Sequence, residues 1–222
     1  MKKALLFFML AFLFVNGFAQ QPERFYLNGK VGYKMNGNVI VAAAYDAGSE
    51  FSDGFALVVS NGKRGFLDAQ GKLVVPLDYE DAGLFKNGLA RVKKNGKYGF
   101  INVTNETVIP FRYDYADDFI SELARVQLNG KWGFINTKDV ALIPVVYENA
   151  NNFSEGLASV CSNGKWGFVD VQGKTCIPFE YERAFSFYNK MAKVMKDGKS
   201  IYISRTNAFV KEEVIRTEHD RD

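Results

Sequence analysis

Apolar and polar positions alternate with a period of two through much of this chain. In the stretch from Leu123 to Gly156, Ala124 and Val126 alternate with Arg125 and Gln127, the pattern of a half-buried strand. Asn129-Gly130 follows, a strong two-residue hairpin signal because both central residues of a type I′ turn need positive φ. Trp132 to Asn136 reads as the return strand. Turns come next, clearest in Asp68-Ala-Gln-Gly71 and Asp170-Val-Gln-Gly173, where Asp can bond local amides and Gly supplies positive φ. A third short strand, such as Leu142-Ile143, ends at a proline, which lacks an amide donor and belongs at a sheet edge. Tyr147, Ala150 and Phe153 are three residues apart, which predicts a single helical turn.

The same sequence of events recurs along the chain. Asn-Gly-Lys-x-Gly-aromatic stands at 28–33, 61–66, 95–100, 129–134 and 163–168, with a decayed copy at 197–202. The step is 33 and then 34 residues. Pro76, Pro110, Pro144 and Pro178 keep that step, as do Tyr45, Tyr79, Tyr113, Tyr147 and Tyr181, each followed by an acid. Six residues after each Tyr comes Phe51, Phe85, Phe119, Phe153 or Phe187.

These residues resemble the WG (KWG) repeat. Glu155-Gly-Leu-Ala-x-Val, Gly164-Lys-Trp-Gly-Phe-Val-Asp and Gly173-Lys-x-x-Ile-Pro-x-x-Tyr-Glu carry the likeness, and the Trp-Gly pair itself stands at Trp132-Gly133 and Trp166-Gly167. Elsewhere it becomes Tyr98-Gly99, Arg64-Gly65, Val31-Gly32 and Ser200-Ile201. The likeness covers roughly residues 24–210. It implies a binding or scaffolding module, of a kind often found in bacterial exported proteins, and implies little about chemistry.

A two-residue loop at Asn129-Gly130 fixes the hairpin register. Val126 faces Gly133 and Ala124 faces Ile135 on one side; Gln127 faces Trp132 and Arg125 faces Phe134 on the other. By the same arithmetic Lys93 meets Tyr98, Arg91 meets Phe100, Cys161 meets Trp166 and Ser159 meets Phe168. One face is small and aliphatic; the other carries rings beside long or polar side chains. A three-strand unit cannot bury both faces alone, so neighbours must stack. The expected fold is all-β: about six 34-residue hairpin or three-strand units in an open, curved, solenoid-like array. The rival is a closed propeller-like ring, whose blades normally have four strands and about 40 or more residues.

The N-terminus changes the picture. Lys2 and Lys3, an apolar run from Ala4 to Val15, and small residues Gly17 and Ala19 describe a secretory signal peptide. The expected organisation is a leader at 1–19, one repeat domain at 20–210 and a charged tail at 211–222, in a secreted or periplasmic protein. Loss of Lys2 and Lys3 takes the net charge from +3 to +1, which argues against nucleic acid as a partner. The apolar run is shorter than the roughly 20 residues a span needs, so no membrane insertion of the mature chain is expected. The one histidine, His219, lies in the tail, so His-based triads and multi-His metal sites are not expected. No cofactor is expected. Two cysteines permit one disulfide, but Cys161 and Cys176 fall on strands that are not adjacent in a meander; Cys176 stands at an aliphatic position and is expected to be the buried one.

Candidate chemistry is sparse. Ser60-x-x-Lys63 and Ser162-x-x-Lys165 match a Ser-Lys catalytic pattern, but Asn-Gly between them makes them the flanks of a turn. The cluster Asp114, Asp117 and Asp118 lacks the glycine and distal Glu of a calcium loop. The lysines at 30, 63, 97, 131, 165 and 199 read as turn residues paired with acids, or as a ladder for an anionic polymer. Tyr98, Trp132 and Trp166 occupy one repeated position. They read either as rings packed between units or as a platform for sugar or peptide. With Arg91, Lys93, Arg125 and Gln127 beside them they form the candidate ligand surface, centred on units three to five. The expected function is that of a monomeric, non-catalytic binding or scaffold protein contacting a protein partner or envelope glycan; the alternative is a carboxylate-dependent hydrolase of envelope polysaccharide, which would need one special acid pair in a cleft. Processing after Ala19 predicts that mass spectrometry of exported protein finds Gln20 as the first residue; exported material that retains Met1 would refute it.

Overall fold

In the computed structural model, which describes residues 21–212, the chain is a tandem series of six antiparallel sheets, with no helix among the described residues. The first sheet has three strands, Glu23–Leu27, Lys30–Met35 and Asn38–Tyr45. Each of the next five is a four-stranded meander. In the fourth sheet the strands are Tyr115–Ala116, Ala124–Leu128, Lys131–Ile135 and Ala141–Tyr147, paired in that order. The sixth runs to Glu212, past the expected domain end at 210. The expected leader at 1–19, the rest of the tail and His219 lie outside the described residues.

The hairpin register is as the turn chemistry requires. Gln127 pairs with Trp132, Arg125 with Phe134, Val126 with Gly133 and Ala124 with Ile135. Lys93 pairs with Tyr98 and Cys161 with Trp166. Asn129 and Gly130 have φ of 51° and 75°, and every copy of the turn repeats that geometry. The Asp turns form too: Asp68 Oδ1 accepts from the amides of Gln70 and Lys72 at 3.0 and 2.9 Å, and Asp170 does the same for Gln172 and Lys174. The prolines sit in the last strand of their sheets, where the register shifts.

Two expectations are corrected. The segment after each repeated tyrosine is no helical turn: Asn149–Ala150 is a two-residue strand that pairs with Val160 and Cys161 of the following hairpin. The amides of Glu148 and Asn151 donate to the carbonyls of Cys161 and Ser159, both at 2.9 Å, so these cross-strand bonds win over the local turn that the spacing suggested. The unit is therefore four-stranded. The cysteines are also reversed. Both are free, but Cys161 is buried and Cys176 exposed, because the latter points outward from the edge strand alongside exposed Val108 and Leu142.

Both faces of an internal sheet are covered. Ala124, Val126 and Ile135 pack back against Phe100, Ile109 and Tyr113 of the third sheet. Phe134 and Ile143 pack forward against Ala158, Val160 and Val169 of the fifth. A phenylalanine interlock marks every junction between four-stranded sheets: Phe66–Phe85, Phe100–Phe119, Phe134–Phe153 and Phe168–Phe187, with ring centroids 4.6 to 5.0 Å apart. No sheet closes into a barrel. The outer sheets leave apolar side chains uncovered, Tyr26 and Leu27 at one end and Phe209 and Val210 at the other, as the open ends of a stack must.

The glycine of the Trp-Gly pair is a close-approach residue. A Cβ on Gly133 would lie 2.6 Å from the Pro144 carbonyl oxygen and 2.7 Å from that of Ile143, both backbone atoms. Gly65, Gly99 and Gly167 meet the same wall. The bend of the proline strand across its neighbour leaves no room for a side chain there.

The repeated tyrosines tie each sheet to the next one's turn. Tyr79 donates to Asn105 at 2.7 Å and Tyr113 to Asp139 at 2.5 Å, where both acceptors hold the positive-φ position of the Asx turn. At residues 71 and 173 that position is glycine, which offers no side-chain acceptor to Tyr45 and Tyr147. Burial holds all five of these hydroxyls above the usual tyrosine range, Tyr113 at about 12. The shared upward shift favours the protonated native state. Its contribution to stability is complete below about pH 10, where unfolded tyrosine titrates, and is lost as pH rises toward 12. Denaturant midpoints should therefore fall between pH 10 and 12. Tyr113→Phe should cost about 1 kcal/mol at neutral pH and make that alkaline fall shallower; an unchanged slope would contradict the assignment.

Candidate functional site

The seven candidate residues lie on the hairpin strands of sheets three to five, and the structure brings them to the seams between consecutive sheets. Tyr98, Trp132 and Trp166 hold the same place on the return strand, two residues after the turn glycine, and each points toward the following sheet. Tyr115, on the short first strand of sheet four, links two of them: its ring lies 5.6 Å from Tyr98 and 5.5 Å from Trp132. Sequence reasoning passed over Tyr115. Its signal was present, since Tyr replaces Asp81 and Asn149 at that repeat position, but placing it needed the short strand that the spacing had suggested was helical.

The basic residues are held in place by acids. Arg91 bridges Asp81 at 2.7 Å and Asp118 at 3.0 Å, and its guanidinium lies 5.2 Å from the Tyr98 ring centroid. Arg125 bridges Asp117 at 2.8 Å, donates to the Ala150 carbonyl at 2.5 Å, and stacks 4.7 Å from the Trp132 centroid. Lys93 also lies over Tyr98, at 5.2 Å. Gln127 stands between Tyr115 and Trp132 in the strand register. The surface is thus charge-paired rather than basic. Burial acts to raise the Asp81 carboxyl, but the hydrogen bond and charge of Arg91, helped by Arg64, outweigh it and hold the group below the usual range.

Exposure separates the rings. Tyr98 is buried at 9%, its hydroxyl 3.3 Å from Asp81, so it is a packing residue and presents no platform. Trp132 and Trp166 are half-buried against the core. Trp132 is covered by Arg125 and Tyr115, but Trp166 is not: its sheet carries Ser159 and Asn149 at those places. Beside Trp166 an open cleft of about 400 Å³ lies between sheets five and six, lined by Asn149, Asn151, Glu182, Arg183 and Phe185.

The regular acids after each tyrosine serve the fold. Each accepts from an amide of the next hairpin turn: Asp46 from Asn61 at 2.7 Å, Glu80 from Gly96 at 3.1 Å and Glu148 from Gly164 at 2.8 Å. The turn lysines join them, Lys30 bridging Asp46 at 2.5 Å and Lys97 bonding Asp114. The hydrogen bond from Lys97 holds Asp114 below its usual range, and that from Gly164 does so for Glu148. Ser60 pairs with Lys63 directly across its turn, so the Ser-Lys spacing is hairpin geometry. Among the described residues no group of three or more His, Cys, Asp or Glu is arranged to hold a metal ion, and no helix is long and apolar enough to cross a membrane.

A β-repeat protein whose sheets are built on a recurrent aromatic-glycine pair is what this geometry defines. The chain belongs to the WG containing repeat family, which matches residues 33–63, 65–98, 98–132, 132–166 and 166–199. A search of curated proteins finds no match. Among solved structures, the chain is similar to a crystal structure of a eukaryotic initiation factor at 11% identity and a TM-score of 0.51, over 86% of this chain and 62% of that one. It is also similar to Hsv2p of Kluyveromyces lactis, at 10% identity and TM-score 0.48 over 84% and 69% of the two chains. A third is AztD of Citrobacter koseri, at 14% identity and TM-score 0.42 over 86% and 70%. The first likeness is one of fold only, and this chain spans under two thirds of that protein.

The two tryptophans should respond differently to truncation. Trp132→Ala removes a ring stacked on Arg125 and Tyr115 and should lower stability by roughly 2–4 kcal/mol. Trp166→Ala, which forfeits no such stack, should cost about half as much. Thermal melts of the two variants measure this; equal losses would count against the difference in cover.

Proposed function

We propose that this protein is a non-catalytic binding or scaffold protein that works outside the cytoplasm and contacts a protein partner or envelope glycan along the seams of sheets three to five. The observation that carries the reading is the convergence of Arg91, Lys93, Arg125, Gln127, Trp132 and Trp166 on equivalent seams, with the two guanidiniums fixed by ion pairs. Ordered donors beside half-buried rings lose little freedom on binding, which favours recognition of an extended ligand. Repetition suits a ligand that is itself repetitive, with modest sites adding through multivalency. The signal-peptide pattern of residues 1–19 supports an exported location.

The geometry gives the hydrolase reading less support. A glycosidase acid needs a raised pKa to hold its proton at neutral pH, whereas Arg91 keeps the Asp81 carboxyl low. Asp117 and Asp118 are engaged by Arg125 and Arg91, and Glu182 accepts from the amide of Gly198.

Purified protein screened against immobilised glycans and peptides should retain a ligand, and Trp166→Ala or Gln127→Ala should weaken that retention by about tenfold without loss of fold by circular dichroism. Failure to retain anything on either array would overturn the reading.

A further inference from the structure

The internal repeat supplies its own control for the surface of Trp166. On sheet four, Arg125 and Tyr115 cover Trp132, at 4.7 and 5.5 Å from its ring. On sheet three, Arg91, Lys93 and Tyr115 cover Tyr98. On sheet five, Ser159 replaces the arginine and Asn149 the tyrosine, and no ring or guanidinium is stacked on Trp166 among the described residues. The acceptor that a guanidinium would use is also taken. Arg125 donates to the Ala150 carbonyl, whereas at the next seam Asn151 Nδ2 donates to the equivalent carbonyl of Ala184 at 3.1 Å and to Ser159 Oγ at 2.8 Å. Asn151 thus closes the seam over the buried Ser159, while the indole stays open beside the cleft of about 400 Å³.

Resting on the binding role proposed above, we propose that this cleft is a subsite for a neutral pyranose saccharide. Its volume is within the range of small-ligand sites and fits one or two sugar rings. The half-buried Trp166 offers an apolar surface for the C–H face of a ring, while the Phe185 ring at the cleft's rim lies under the Lys193 ammonium, 6.0 Å from its centroid. Two amides, Asn149 and Asn151, stand beside them with one acid, Glu182, and one base, Arg183. These groups supply both donors and acceptors with no net charge, the complement of a hydroxylated ring and a poor match for a polyanion. A peptide arginine would repeat the stack that Arg125 makes on Trp132, but it would have to share the Ala184 carbonyl with Asn151.

The experiment uses Trp132→Phe, which leaves Trp166 as the sole tryptophan because the chain has two. Its fluorescence is titrated with cellohexaose, maltohexaose, chitohexaose and an arginine-containing hexapeptide. One of the saccharides should shift the emission of Trp166. Adding Asn149→Tyr, an exposed position, restores the cover found over Trp132 and should weaken that binding about tenfold or more with an unchanged melt. Binding by the peptide alone, if it is sensitive to Asn149→Tyr, overturns the saccharide assignment. A ligand found on the arrays whose binding ignores both Asn149→Tyr and Trp166→Ala overturns the cleft while leaving the general binding role standing. No ligand on arrays or in titration overturns both.

Discussion

Every internal sheet here depends on its neighbours to bury its two faces. A four-stranded sheet of about 33 residues has no interior of its own, and both of its surfaces are apolar in this chain. Ala124 and Val126 need the third sheet, and Phe134 needs the fifth. Contacts at a step of one repeat carry this dependence. Phenylalanines interlock between the four-stranded sheets, Tyr79, Tyr113 and Tyr181 bond the next sheet's Asx turn, and acids accept from the next hairpin's amides. Stability is then a sum of unit and junction terms. The ends have no such neighbour, so Tyr26 and Phe209 stay exposed.

This arrangement also explains the chain's composition. Lysines and acids recur because each turn needs a carboxylate for its amides, and the lysine beside the turn balances that charge. Exposed pairs of this kind contribute little stability individually; their role is to set the geometry of turns whose asparagines are held at positive φ. Repetition of charge is therefore a property of the fold, and functional residues must be sought where the repeat departs from itself.

The seams between sheets are where departure is tolerated. Their inner portions are fixed by close packing, as the carbonyls around Gly133 show. Their margins carry Leu57, Arg91, Arg125, Ser159 and Lys193 at a single repeat position. Arginine there fills the seam and stacks on the ring behind it. Serine leaves the seam open, and beside Trp166 that difference makes a cleft. The same β scaffold thus presents closed, charge-paired margins at some junctions and an accessible indole at another.

The sequence by itself determined the local structure. Asn-Gly pairs set the hairpin register to the residue, because their φ requirement leaves one loop length; Asp-x-x-Gly placed the next turn, and proline marked the edge strand. The 34-residue period required stacking, since no unit could bury both its faces. Tertiary structure decided what depended on distant partners. The short strand at Asn149–Ala150 forms because carbonyls of residues 159 and 161 receive its flanking amides, and no local pattern encodes those acceptors. Cys161 is buried and Cys176 exposed because the next sheet covers the hairpin, whereas Cys176 stands on the outward side of an edge strand whose Ile177 and Tyr181 face the core. Arg91 and Arg125 were legible as basic residues beside rings, but their neutralising acids lie 8 to 27 residues away in sequence. Whether a ring at this repeat position packs or presents a surface turned on what lay across its seam, and only folding brings those side chains together.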